Sequence, residues 1–164
     1  MSGNGDDQSP YTRLLVGDDD PELDRRLNAE LGAYNVSVAG AGQQREFTIK
    51  VEDDEGVLVA ELSGWTWGTS AGIALVWVRE DARYSGWGGR LLEAAERVAR
   101  DRGCERVNVS SFTFQVPAFY AKHGYVETGR TEAVPLVGQA DVHFVKRLMP
   151  TLRTPEPRRA GAAH

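Results

Sequence analysis

Residues 77–103 read WVREDARYSGWGGRLLEAAERVARDRG: the end of an apolar run, then Gly86, Gly88 and Gly89, then a helical pattern. Glycine is a poor helix former, so its use at a helix entrance needs a reason. Leu91, Leu92, Ala94, Ala95, Val98 and Ala99 build one apolar stripe, Glu93/Arg97 and Glu96/Arg100 are spaced to pair outside it, and Gly103 is placed to end it. A loop leading from a buried strand into a helix presents free backbone N–H groups at the positive end of the helix dipole, where an anion can sit. The same glycines would serve a tight turn and close helix–sheet packing, and the loop alone does not separate the two uses.

Outward from this unit, YTRLLVG (11–17) reads as a first strand. DPELDRRLNAELGAYN (20–35) reads as helical, with Leu23, Leu27 and Leu31 at helical spacing and the acidic Asp18 to Asp20 at its entrance. EFTIKVED (46–53) and GVLVAELSGW (56–65) alternate like strands across a DEG turn, which predicts a hairpin. GIALVWV (72–78) is nearly all apolar, as a strand covered on both faces would be. After the helix, CERVNVS (104–110) is a strand, VPAFYAKHG (116–124) a short helix with Pro117 in its first turn and Gly124 at its end, and ADVHFVKRL (140–148) a closing strand. The order is that of an α/β (α+β) sheet around a central strand–loop–helix unit. One domain over 11–149 is expected, between flexible ends at 1–10 and 150–164.

Composition narrows the partners. The 164 residues carry a formal net charge of −5, which gives no general attraction to nucleic acid or anionic lipid. Cys104 is the single cysteine, so no intrachain disulfide can form and no thiolate cluster is available for zinc. The three histidines lack metal-motif spacing, no apolar run approaches a membrane span, and the N-terminus has no signal-peptide pattern. A cytoplasmic protein without metal, nucleic acid or membrane partners is the expectation.

The anion can be narrowed too. A Walker A loop needs Lys and then Ser/Thr after its last glycine, and Gly89 is followed by Arg90-Leu91. A dinucleotide fingerprint needs a third glycine where Leu91 stands. By contrast, VREDARYSGWGGRLL resembles the pyrophosphate-binding signature of the GNAT N-acetyltransferases, Gln/Arg-x-x-Gly-x-Gly/Ala, through Arg83, Gly86 and Gly88. FYAKHGY (119–125) resembles that family's second signature, Phe-Tyr-x-Lys-x-Gly-Phe/Tyr. The likeness extends more loosely over residues 46–148. Two departures stand out: Tyr84 where many members have glycine, and Gln115 where many have asparagine.

The resemblance implies a GNAT fold, a mixed, mostly antiparallel sheet of about six to seven strands with helices on both faces. It implies acetyl transfer from acetyl-CoA to an amine by direct attack, without a covalent enzyme intermediate. The phosphates would be held by the loop of Arg83, Tyr84, Ser85, Gly86, Trp87, Gly88, Gly89 and Arg90, and the pantetheine arm would pair with backbone around Val76 and Val78. Gln115 and Lys122 are further cofactor candidates, with an exposed helix position the plainer reading of Lys122. Tyr120, the tyrosine of the second signature, is the candidate that protonates the departing thiolate, against a plain packing role among Phe119, Tyr120 and Tyr125.

An alkylamine with a pKa near ~10 must lose a proton before it attacks. Glu61, Glu30 and His143 are conceivable bases, each with a simpler surface role, and none is assigned. Trp65 and Trp67, two apart on one strand face, are candidates for the wall of an acceptor pocket or for core packing. Asn35 is a candidate contact to the acceptor or a helix cap, and Cys104 reads as an inert buried thiol. A small-molecule amine is the expected acceptor. Acetylation of a protein lysine or N-terminus, and a non-catalytic acyl-CoA sensor, are the alternatives; dimerisation is common in such enzymes.

Overall fold

The computed structural model describes residues 15–40 and 42–149. The expected first strand lies partly outside them, and Leu15–Gly17 carry no regular structure. The expected flexible ends, 1–10 and 150–164, also lie outside. The chain divides into two compact units, Met1–Gly40 and Ala41–His164.

The first unit holds helix α1 (Pro21–Ala39). Asp20 starts it, accepting the N–H groups of Glu22 and Leu23 on its Oδ1 at 3.1 and 3.0 Å, with Pro21 behind it in the first turn. The acidic run therefore serves as a helix entrance. Gly40, in the left-handed region at φ 63°, closes the other end. Asn35 thus lies within α1 and caps nothing, because the helical run continues through Val36 and Val38 to that glycine.

The second unit is a six-stranded mixed sheet in the order β1-β2-β3-β4-β6-β5. β1 (Arg45–Glu52) and β2 (Leu58–Trp67) form the expected hairpin. Its turn is closed by Asp53, whose Oδ1 accepts the N–H groups of Glu55 and Val57. β3 (Ser70–Val78) returns antiparallel to β2, with a bulge that leaves Ala74 unpaired. Helix α2 (Trp87–Asp101) crosses over to β4 (Arg106–Phe112), which runs parallel to β3. Helix α3 (Pro117–Lys122) follows, then β5 (Val126–Glu132) and β6 (Ala140–Arg147), with β6 lying between β4 and β5.

Alternation assigns the faces. Ala60, Leu62, Ala71, Ile73, Val107, Val109, Val142 and Phe144 join Leu91, Leu92, Ala95 and Ala99 of α2 and Tyr120 of α3 in one core. The other face carries Trp65, Leu75, Trp77, Ser110 and His143. β3 is therefore not covered on both faces: Leu75 is 72% and Trp77 46% exposed. Its apolar composition overstated its burial because large side chains occupy both sides of an alternating strand.

Helix α2 follows its pattern except at Glu96. That carboxylate is buried on the apolar stripe, where it takes Lys146 Nζ at 2.7 Å, Arg100 at 3.3 Å and the Tyr125 hydroxyl at 3.4 Å. The Glu96/Arg100 pair forms as spaced, but inside the packed face, because Lys146 of β6 supplies a second cation there. Glu93 and Arg97 stay exposed and make no ion pair among the described residues. Cys104 lies just before β4, buried, and burial raises its thiol pKa, which fits an inert packing role.

Candidate active site

The β3–β4 ladder is short. It joins Ser70, Ala71 and Gly72 to Arg106, Val107 and Asn108 and then stops. Asn108 fastens its last rung, donating from Nδ2 to Ser70 Oγ at 2.8 Å and to the Ala71 carbonyl at 3.0 Å. Beyond that point the two strands part, and the bulge at Ala74 turns β3 away.

The parting leaves a main-chain edge open. Arg79 N–H donates to the Val59 carbonyl of β2, so by strand alternation Trp77 also faces β2, while Val76 and Val78 direct their N–H and C=O groups toward the gap. The Val78 carbonyl is accordingly free to accept Arg83 Nε at 3.3 Å. Val76, Val78 and Arg83 thus come together at one edge.

The start of α2 stands at the mouth of this gap. Gly86 is its N-cap at φ 88°, a conformation glycine adopts without strain. No side chain caps the N–H groups of the first turn, and no acidic residue stands there. Such donors at the positive end of the dipole, with Arg83 and Arg90 exposed nearby, suit a diphosphate. Tyr84 also has positive φ, 64°, and its side chain is fully exposed. It holds a backbone shape that glycine would take freely, at a cost of roughly 1–2 kcal/mol. Ser85 turns its hydroxyl back onto the Ala82 carbonyl, and Arg90 lies over the Trp87 ring at 4.8 Å.

Gly88 and Gly89 differ from Gly86. A Cβ on Gly88 would stand 3.0 Å from the Phe119 ring, and one on Gly89 2.7 Å from His123 Nε2. Their missing side chains let α2 meet α3 closely, so the packing reading applies to these two and the open-loop reading to Gly86, around which a Cβ meets nothing within 4 Å.

Tyr120 is buried, its ring tilted against Phe144 at 5.9 Å and edge-on to Phe119 at 5.2 Å and Tyr125 at 5.9 Å. Burial raises its pKa, which keeps the phenol protonated through the neutral range. Its hydroxyl has no hydrogen-bond partner among the described residues and is not enclosed by protein, since Asp141 Oδ1 is the enclosed orphan among them. Gln115 shapes the chain between β4 and α3. Its side-chain oxygen accepts Phe112 N–H at 3.1 Å and Ser111 Oγ at 3.4 Å, closing the turn that leads into α3. Lys122 lies exposed in the last turn of α3.

A cleft of about 340 Å³ opens where β3 and β4 part, lined by Trp65, Gly72, Ile73, Asn108, Ser110 and His143 among others. The Trp65 indole lies against Gly72, where a Cβ would fall 2.3 Å from the ring. Trp67 shares the strand face but lines a separate hollow with Gln43, Arg45 and Arg102, because it lies at the β2–β3 turn, paired with Ser70. Glu61 pairs across the strands with Lys50 and Trp77 and does not line the cleft. Asn35 belongs to α1, in the first unit. The composition of the cleft gave no linear signal: Asn108, Ser110, Thr128 and His143 come from three strands and meet only through sheet register. No group of three or more His, Cys, Asp or Glu residues able to hold a metal occurs among the described residues, and no helix there is long and apolar enough to cross a membrane.

The family model of the GNAT acetyltransferase domain matches residues 44–127, about half of the chain. An acetyltransferase of Agrobacterium fabrum is 27% identical over 110 residues, covering 67% of this chain and 80% of that one. Blasticidin-S acetyltransferase of Streptomyces morookaense is 38% identical over 76 residues, 44% of this chain and 54% of that one. Among solved structures, an acetyltransferase of Bacillus cereus superimposes with a TM-score of 0.70 at 30% identity, covering 82% of this chain and 98% of its own.

Proposed function

Since this chain belongs to the GNAT acetyltransferase family, and so is an acetyl-transferring enzyme, we propose that it moves the acetyl group of acetyl-CoA to a primary amine of a small molecule, by direct attack within a ternary complex. The observation that carries this reading is the ladder that stops after Gly72 and Asn108. It leaves Val76 and Val78 as a main-chain edge for an amide-bearing arm, which would add to β3 as a strand does. The uncapped start of α2, with Arg83 and Arg90, would take the diphosphate through backbone donors and charge-assisted bonds.

Acetyl-CoA bound along that edge supplies an activated thioester. The protein's own residues then do three things. Asn108 fastens the last β3–β4 rung, and the β3 bulge parts the strands beyond it at the reaction point. Trp65 walls the cleft with a rigid aromatic surface suited to a small organic acceptor. Tyr120 offers a protonated phenol to the departing sulfur, and its burial keeps that proton in place. A small-molecule acceptor is supported by the identity with a protein named for acetylating blasticidin S, and the net charge of −5 favours a cationic one.

The test is thiol release from acetyl-CoA with panels of amines and peptides. Turnover with small amines, and none with lysine-bearing or free N-terminal peptides, is expected. Turnover confined to peptides would overturn the acceptor class, and acetyl-CoA binding without turnover on any amine would leave an acyl-CoA sensor.

A further inference from the structure

We infer that His143 is the general base of this enzyme, accepting the amine's proton on Nδ1 while Thr131 fixes the ring through Nε2. The inference rests on the acetyltransfer reading above and assigns the step that reading leaves open.

Three groups are candidates for the proton. Of the two that belong to the second unit, Glu61 does not line the cleft. His143 does, and it is the only titratable side chain among the lining residues. It reaches the cleft from β6, opposite Ser110 of β4, and its other neighbour in register is Gly129 of β5, which leaves the ring room on that side.

The ring is also held. Nε2 lies 3.2 Å from Thr131 Oγ1. The bulge of β5 sets Thr128 to donate its hydroxyl to the His143 carbonyl at 3.3 Å. Two threonines of one strand thus fix the backbone and the ring of the same residue. If Nε2–H donates to Thr131, Nδ1 keeps its lone pair, the arrangement a base needs.

The charged surroundings are sparse. Asp141, two residues earlier, and Arg147, four residues later, are the charged residues of β6 on the same face. β4 presents Arg106, Asn108, Ser110 and Phe112 to that face, and β5 presents Val126, Gly129 and Thr131; of these only Arg106, level with Arg147 at the far end of the ladder, is charged. Glu127 and Arg130 of β5 alternate to the opposite face, where they pair with each other. Asp141 has an enclosed Oδ1 without a hydrogen-bond partner among the described residues.

The step balances. The ammonium gives one proton to Nδ1, and the freed nitrogen lone pair forms the C–N bond at the thioester carbon. The C–S bond then breaks, the thiolate takes the Tyr120 proton, and the second nitrogen proton restores the phenol. The proton on His143 leaves to solvent.

Two measurements test this. In the free protein, long-range ¹H–¹⁵N spectra should show His143 as the Nε2–H tautomer, and Thr131→Val should abolish that preference. In steady state, with blasticidin S, an aminoglycoside and streptothricin as probe amines, kcat/KM should show an acid limb governed by a single ionisation. His143→Gln should lower kcat about 10²-fold or more, remove that limb and leave acetyl-CoA affinity unchanged by calorimetry. A wild-type acid limb in His143→Gln, or a loss confined to KM, overturns the assignment while acetyl transfer stands. Should His143→Gln fail to bind acetyl-CoA, Thr131→Val decides: an unchanged tautomer and pH profile overturns it. A wild-type enzyme that acetylates none of the probes or other amines removes the transfer reading, and the base with it.

Discussion

Tyr120 and Gly88 were both legible as positions in the sequence, and the fold adds to each a contact that local spacing does not show. The FY pair in FYAKHGY pointed to Tyr120, and the fold buries its ring on Phe144 while its hydroxyl has no hydrogen-bond partner among the described residues. Tyr120→Phe should therefore lower kcat on the order of 10²-fold with little change in acetyl-CoA affinity, as loss of a proton donor does. Equal turnover in the two proteins would return Tyr120 to packing. Gly88 invited a phosphate explanation, yet its open side meets the Phe119 ring at 3.0 Å. Gly88→Val should destabilise the ligand-free protein by about 2 kcal/mol through overpacking between α2 and α3. Urea unfolding without acetyl-CoA checks it, since a purely phosphate-blocking valine would leave that transition where it was.

Elements were legible where their periodicity belongs to them alone. The stripe of α2, the β1–β2 hairpin and the proline-started, glycine-ended α3 all follow from local spacing. β5 did not show, because VETGRTE is exposed along its whole length and exists as a strand only through its pairing with β6. The cleft was hidden for the same reason: Trp65 was visible as a candidate, but Asn108 and Ser110 acquire meaning only from register. Glu96 was read as a solvated partner of Arg100, and its burial depends on Lys146, fifty residues away. Glu96→Ala should cost about 2 kcal/mol. That is less than a fully buried pair would cost, since Lys146 and Arg100 keep some contact with solvent. A double-mutant cycle with Lys146→Met should recover part of the loss, and a fully additive cycle would show that the contact contributes nothing.

At the scale of the molecule, titration sets a window of stability. The Val57 N–H and Arg79 hold the Asp53 carboxyl below its usual 3.8, Arg79 does the same for Asp81, and Arg130 holds Glu127 below 4.5. Folded values below unfolded ones mean stability present above those ordinary values and lost as pH falls through the lowered ones. At the other end, burial raises Tyr120 and, together with the Glu96 charge, Tyr125 above their usual 10.0. That contribution is complete below 10 and declines as pH rises beyond it. Thermal melts should show a plateau from about pH 5 to 9 with a fall on both flanks. A midpoint that keeps rising above pH 10 would contradict the tyrosine assignment.

The wedge between β3 and β4 also bears on how the protein must be handled. Val76 and Val78 amount to a frayed zip in the middle of a sheet, and any extended polypeptide of suitable length, including a neighbour's loosened strand, can mesh with it. Preparations stripped of nucleotide thioester should clump soonest on warming, whereas millimolar CoA, by occupying the slot and favouring the native state through mass action, should keep them clear.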